Sequence, residues 1–345
     1  MAGLAPLLLA LLLAPQAPPD DEAARLWAAG ERVAAVERLA ARLVEAPDDL
    51  GLRRRLVTHE VEIHRYAAAL QHAEGLGSEV DDERGYCLFR LGRFEEALGY
   101  LDPKNERHAL LIFDTLESLG RGADAAAALE RAAEVLGEGD PRVLVRRGRM
   151  CADAGEHGLA EQAFRRALEG DGVLLDAWFG LGQALVRQGK RDEARAALER
   201  HRALVPLIDA YDFARKSLDL APNHAPNHAA LGDVERQLGR LGRAETSYAA
   251  AARLAQPAEL PPIALRHARL LDEDRRDPDG AARVLDEAFA RVPDPRLAVR
   301  AGDVLLAAGR PEEALSRFEQ ARRLRPSDAE VQRRIDAARR AGEGR

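Results

Sequence analysis

Apolar and polar positions along residues 20–326 recur with a helical period. In the stretch WFGLGQALVRQG (178–189), Trp178, Leu181 and Leu185 fall at i, i+3 and i+7 on one helical face. Gly189 then stops that helix. A second amphipathic stretch starts near Asp192, with Ala194, Leu198 and His201 on one face. Pro206 is expected to end it, because a proline lacks the amide a helix interior needs. The same two-helix unit returns as Leu231, Gly232, Gly239, Ala244, Tyr248 and Ala251, and again as Gly302, Leu305, Gly309, Ala314, Phe318, Ala321 and Pro326.

The recurrence is a repeat with a measurable period. Five segments carry one pattern: LGRFEEAL (91–98), AGEHGLAEQAF (154–164), QGKRDEARAAL (188–198), LGRLGRAETSY (238–248) and AGRPEEALSRF (308–318). Each has a Gly followed five positions later by an Ala. Ala35, Ala69, Ala97, Ala125, Ala160, Ala194, Ala244, Ala281 and Ala314 are separated by 34, 28, 28, 35, 34, 50, 37 and 33 residues. The period is close to 34, with two shortened units and one insertion of about 16. A single helix pair cannot bury its apolar face, so neighbouring pairs must stack. Gly148, Gly182, Gly232 and Gly302 would let the second helix approach the first, and Trp178, Phe164, Leu198, Tyr248 and Phe318 would fill the gap to the next pair.

The ordered set of large apolar residue, Leu-Gly, turn Gly, Ala, aromatic, Ala and Pro resembles the tetratricopeptide repeat family. The resemblance is strongest in units five, six, seven and nine. It implies an all-α fold, a right-handed α-α superhelix of antiparallel helix pairs. The expected divisions are degenerate units one to four over 20–140 and units five and six over 141–206. An extra helix or linker follows over 207–224, then units seven to nine over 225–326 and a capping helix over 327–345. Ser327-Asp328 reads as the N-cap of that last helix, and Val331, Ile335 and Ala338 as its apolar stripe. Three local departures stand out. His64 occupies a turn-glycine position, Arg276 does the same within the longer turn DEDRRDPDG, and the third unit has a shortened second helix at LGYLDPKN.

Composition narrows the class. Alanine, leucine, arginine and glutamate dominate, and aromatics are only 4%, which disfavours a sheet-rich fold. The net charge of −7 disfavours a globally basic nucleic-acid binder. Cys87 and Cys151 fall in predicted helix interiors and read as buried thiols. The N-terminal run LAPLLLALLLA (4–14) is too short to span a bilayer and suits the apolar part of a secretory signal over residues 1–19. Export is therefore expected, with a cytoplasmic location as the alternative.

No catalytic or cofactor motif is present. GxxxxGK[ST], GxSxG and HExxH are all missing. His224 and His228 are separated by Pro226, and neither that pair nor His59 and His64 has an evident third metal ligand. The chain is expected to be non-catalytic, without cofactor or metal.

The resemblance places function on the surface, because the first helices of such arrays line a concave groove that binds peptides. Carried over position by position, the groove residues are Arg142, Arg146 and Arg149 in unit five and Phe179, Gln183 and Arg187 in unit six. Units seven, eight and nine add Arg236, Arg266, Arg296 and Arg300. Arginine forms bidentate contacts with carboxylates, so the expected partner is an acidic protein segment or carboxyl terminus. The alternatives are an RNA-binding helical repeat and an accessory subunit of a cell-envelope enzyme or assembly complex.

Overall fold

The computed structural model describes residues 22–343, so the leader expected over 1–19 lies outside the described residues. Among the described residues there are nineteen α-helices and no strand. Nine helix pairs follow one another. The first four are α1 (Glu22–Ala29) with α2 (Arg32–Glu45), α3 (Leu50–Glu62) with α4 (Tyr66–Ala73), α5 (Asp81–Arg90) with α6 (Phe94–Leu98), and α7 (Ala109–Ser118) with α8 (Gly122–Leu136). Next come α9 (Pro141–Asp153) with α10 (His157–Gly170), α11 (Leu175–Arg187) with α12 (Arg191–Leu220), and α13 (Ala225–Gln237) with α14 (Leu241–Leu254). The last two are α15 (Leu260–Arg269) with α16 (Pro278–Arg291) and α17 (Pro295–Ala307) with α18 (Pro311–Leu324). A final helix, α19 (Ala329–Glu343), closes the array. The architecture is an all-α superhelical repeat.

The periodic alanines are the inner contact of each pair: all nine are at most 2% exposed. Opposite them, the small residues of the first helices make room for a large residue of the second. A Cβ placed on Gly148 would lie 2.7 Å from the Phe164 ring, one on Gly182 2.6 Å from Leu198, and one on Gly232 3.0 Å from Tyr248. On Gly302 it would overlap Phe318. These large residues therefore fill the interior of their own pair, not only the gap to the next. Phe164 does both, since Gly180 of the following pair also abuts its ring.

The turns between paired helices are left-handed. Gly189 has φ 76°, and the two non-glycine substitutes take the same conformation, His64 at φ 64° and Arg276 at φ 58°. The long turn of unit eight contains one wide helical turn over Leu270–Asp274, in which the Arg275 amide donates to the Leu270 carbonyl at 3.0 Å. Asp277 then caps α16 by accepting from the Gly280 amide at 2.8 Å. In unit three the second helix, α6, is only five residues long.

Pro206 does not end its helix. α12 runs unbroken for 30 residues, and 207–220 continues it instead of forming a separate element. A proline inside a helix costs about 3 kcal/mol. Burial offsets that cost on both sides of it: Leu204 is buried among Val173, Val234 and Leu238, and Ala214 and Leu218 are buried against Leu231 of α13. The first half of α12 completes unit six, and its second half is the surface on which α13 begins unit seven. Arg240 fastens this junction to the turn before α11, reaching Asp171 at 3.1 Å and lying 5.4 Å over the Tyr211 ring.

The far end of α12 and the turn after it also touch units one and two. Asn223 Nδ2 donates to the Ala28 carbonyl at 3.0 Å, 195 residues away. His64 Nε2 stands 3.4 Å from Asp219 Oδ2. Units one to six therefore curve until unit one meets the helix that leaves unit six. At the other end, Asp328 caps α19 through the Glu330 amide at 2.9 Å, and Val331, Ile335 and Ala338 are buried. No described helix is long and apolar enough to cross a membrane.

Candidate functional site

First helices of successive units line two adjoining clefts. One, of about 810 Å³, lies between α3, α5 and the start of α7. The other, of about 850 Å³, lies between α5, α7, α9 and the start of α11. A smaller space of about 300 Å³ follows where Ile208 and Tyr211 of α12 face Arg142 and Val145 of α9.

The arginines expected to offer their charge to a partner are mostly engaged within the chain. Arg146 holds Asp114 of the preceding first helix with two bonds, Nε at 2.9 Å and Nη2 at 2.5 Å. Arg149 holds Glu117 of the same helix. Arg266 reaches back to Asp233 at 2.9 Å, and Arg300 to Asp272 at 2.9 Å. Arg334 of α19 continues the series onto Asp303 at 2.9 Å. Arg236 reaches forward to Asp274, and to Glu273 at 3.2 Å.

Arg142 and Arg296 have a different role. Each clasps the aspartate that caps its own helix. Asp140 accepts from the Arg142 amide at 2.8 Å and from its Nη2 at 2.8 Å. Asp294 does the same for Arg296, at 2.9 and 2.7 Å. The guanidinium bonds hold both carboxyls below the usual aspartate range. Seven of the eight expected arginines thus have a carboxylate of this chain as partner. For five of them the cause is the repeat itself, which sets an acid of a neighbouring unit opposite the arginine, whereas Arg142 and Arg296 take the acid two residues before them.

The remaining three expected residues share the exposed side of α11. Phe179 is 47% exposed and its ring lies 5.4 Å from that of His201. Gln183 and Arg187 are exposed on the same helix, and Arg187 has no ion-pair partner among the described residues. Val186, 53% exposed, completes the patch.

The clefts also contain residues the repeat register did not single out. Tyr86, Phe89, Arg90 and Phe94 line them from unit three. Arg90 donates to Tyr86 Oη at 2.9 Å and lies 4.8 Å over the Tyr66 ring. Burial, reinforced by Tyr86, pushes the Tyr66 phenol up to about 12. The charged groups left unpaired are largely acids. Asp153 and Asp176 have no bonded partner among the described residues. Asp82 and Glu83 bond only to neutral donors, Asn105 at 3.0 Å and Thr58 at 3.4 Å, and Asp82 stands 3.9 Å from His108 Nδ1. The repeat register reaches Asp153 in unit five and Asp176 in unit six, but not Asp82 and Glu83, which lie in the weakly matching third unit.

Elsewhere, no group of three histidine, cysteine, aspartate or glutamate side chains among the described residues is placed to hold a metal ion. Cys87 is buried and Cys151 half-buried, and both are free thiols.

The model of the tetratricopeptide repeat family matches residues 110–172, 175–207, 265–329 and 299–342, half of the chain. The chain belongs to this family. Among solved structures it is similar to a thermophilic TPR protein of Thermus thermophilus, with 21% identity over 68% of this chain and 98% of that one and a TM-score of 0.24. It is also similar to PilW, a widely conserved type IV pilus biogenesis factor, with 16% identity over 74% and 96% and a TM-score of 0.34. A third is YrrB, a TPR protein with an unusual peptide-binding site, with 17% identity over 60% and 96% and a TM-score of 0.28. No curated protein matches the chain.

Proposed function

We propose that the chain is a non-catalytic scaffold that holds a segment of a partner protein along its first helices. The observation that carries this reading is the pair of adjoining clefts built from α3, α5, α7, α9 and α11. Together they offer more open volume than a single small-molecule pocket needs, in a shape that suits an extended chain. Phe179, Gln183 and Arg187 extend the same face with exposed groups, of which Arg187 has no ion-pair partner among the described residues. Arg142, Arg146, Arg149, Arg236, Arg266, Arg296 and Arg300 border it, and their first task is to hold units and helix ends in register. The apolar run over 4–14 supports export, and with it a role as an accessory part of a cell-envelope assembly.

Site-specific photocross-linking tests the reading. A benzophenone side chain at Gln183 is expected to capture a protein from the native extract. The same group at Arg195, exposed on the second helix, is expected to capture none. Equal capture from both positions contradicts it.

A further inference from the structure

We propose that the two clefts of units two to five take a lysine- or arginine-rich segment of the partner protein. This rests on the reading of the groove as a protein-binding face and names the chemistry of what it binds.

The charge balance is the first support. The acids Asp114 and Glu117 and the cations Arg146 and Arg149 cancel in pairs. Asp82, Glu83, Asp153 and Asp176 are left without an arginine or lysine partner, and these four lie along both clefts in turn. Against them stand Arg107, and Arg90 seated over Tyr66 and Tyr86. Carboxylates without a counter-ion in a concave site focus a negative potential that attracts cations.

The second support is His108. It is 3% exposed, and its ring lines the first cleft. Its Nδ1 accepts from the Asp102 amide at 3.2 Å, so the neutral ring carries its proton on Nε2. That N–H has no acceptor among the described residues. A main-chain carbonyl of an extended segment in the cleft would accept from it.

The apolar lining fits the same occupant. Tyr86 and Leu111 border the acids in the first cleft, and Phe89 and Phe94, with rings 6.0 Å apart, border them in the second. Long basic side chains lay their methylenes on such surfaces and place the charged head beyond them.

The test uses the full chain, a random dodecapeptide display library, and two labelled dodecapeptides of equal length, one rich in Lys and Arg and one rich in Asp and Glu. Selected peptides are expected to be enriched in Lys and Arg, and the basic probe to bind with an affinity that falls roughly tenfold between low and high salt. The double variants Asp82→Asn with Glu83→Gln and Asp153→Asn with Asp176→Asn, with helicity verified by circular dichroism, should each weaken it about three- to tenfold. Equal binding to wild type and both variants overturns the proposal. Enrichment of acidic or uncharged peptides that cross-link to the first helices overturns the charge assignment and leaves the scaffold reading standing. No enrichment at all overturns both.

Discussion

The Phe164 ring is held between two glycines, Gly148 of its own helix pair and Gly180 of the next. One side chain thus sets the spacing both within a repeat and between repeats. In a linear array each unit is stabilised mainly by its neighbours, so a contact of this kind controls whether the stack is continuous. A continuous stack is what creates clefts shared by three or four first helices.

Overfilling these contacts should break the stack locally. Gly182→Leu drives side-chain atoms into Leu198, where even a Cβ would stand 2.6 Å away. The expected cost is about 1–3 kcal/mol, read as a lower urea midpoint. Gly158→Ala, at a helical glycine with nothing within 4 Å of an added Cβ, should be neutral or stabilising.

The left-handed turn of unit eight carries avoidable strain. Arg276 is exposed at φ 58°. Arg276→Gly is expected to raise stability by about 1 kcal/mol, since a residue with a Cβ is penalised there. Arg276→Val should lower it, and thermal melts of the two variants bracket the effect.

The ladder of ion pairs between repeats should be measurable as a coupling. Arg146 and Asp114 are both mostly shielded from water and joined by two bonds. A double-mutant cycle of Arg146→Ala and Asp114→Ala is expected to give about 1 kcal/mol. A coupling near zero would mean that units four and five stack by apolar contact alone.

His267 should make unit eight sensitive to acid. It is buried, its ring 5.9 Å from that of Tyr248, and burial lowers its pKa below the ordinary 6.5 despite Glu245 and Glu287 nearby. The unfolded chain then binds the proton more readily than the folded one. Stability is full above pH 6.5 and falls as the pH drops below it, towards the folded-state value. His267→Phe is expected to flatten the melting temperature between pH 5 and pH 7.5 relative to wild type, a window of about one unit either side of the ordinary histidine range.

The two thiols should differ in reactivity. Burial pushes the Cys87 thiol up to about 12, so it stays protonated and shielded. Cys151 is raised as well but only half-buried. Native-state alkylation followed by peptide mass mapping should label Cys151 well before Cys87.

Most of the repeat was legible in the sequence. The periodic alanines mark the inner contact of every pair, and His64 and Arg276 stand where a turn glycine is expected and take its conformation. Local rules failed at Pro206, where the penalty of a helical proline is outweighed by burial of Leu204, Ala214 and Leu218 against helices distant in sequence. The contact of Asn223 with Ala28 is likewise set by the curvature of the whole array, which no window of residues encodes. The positions of the groove arginines could be read from the register, but their partners could not. Pairing Arg146 with Asp114 or Arg266 with Asp233 follows from an offset of 32 or 33 residues, close to one repeat, which has meaning only once the stacking is known.

The central claim is that the first helices form the binding face. Hydrogen exchange read by mass spectrometry, with and without a saturating peptide from the library selection, tests it most directly. Slowed exchange in α5, α7 and α9, with α8 and α10 unchanged, is the predicted result. Protection confined to α8 and α10 would contradict it and place the partner on the second helices.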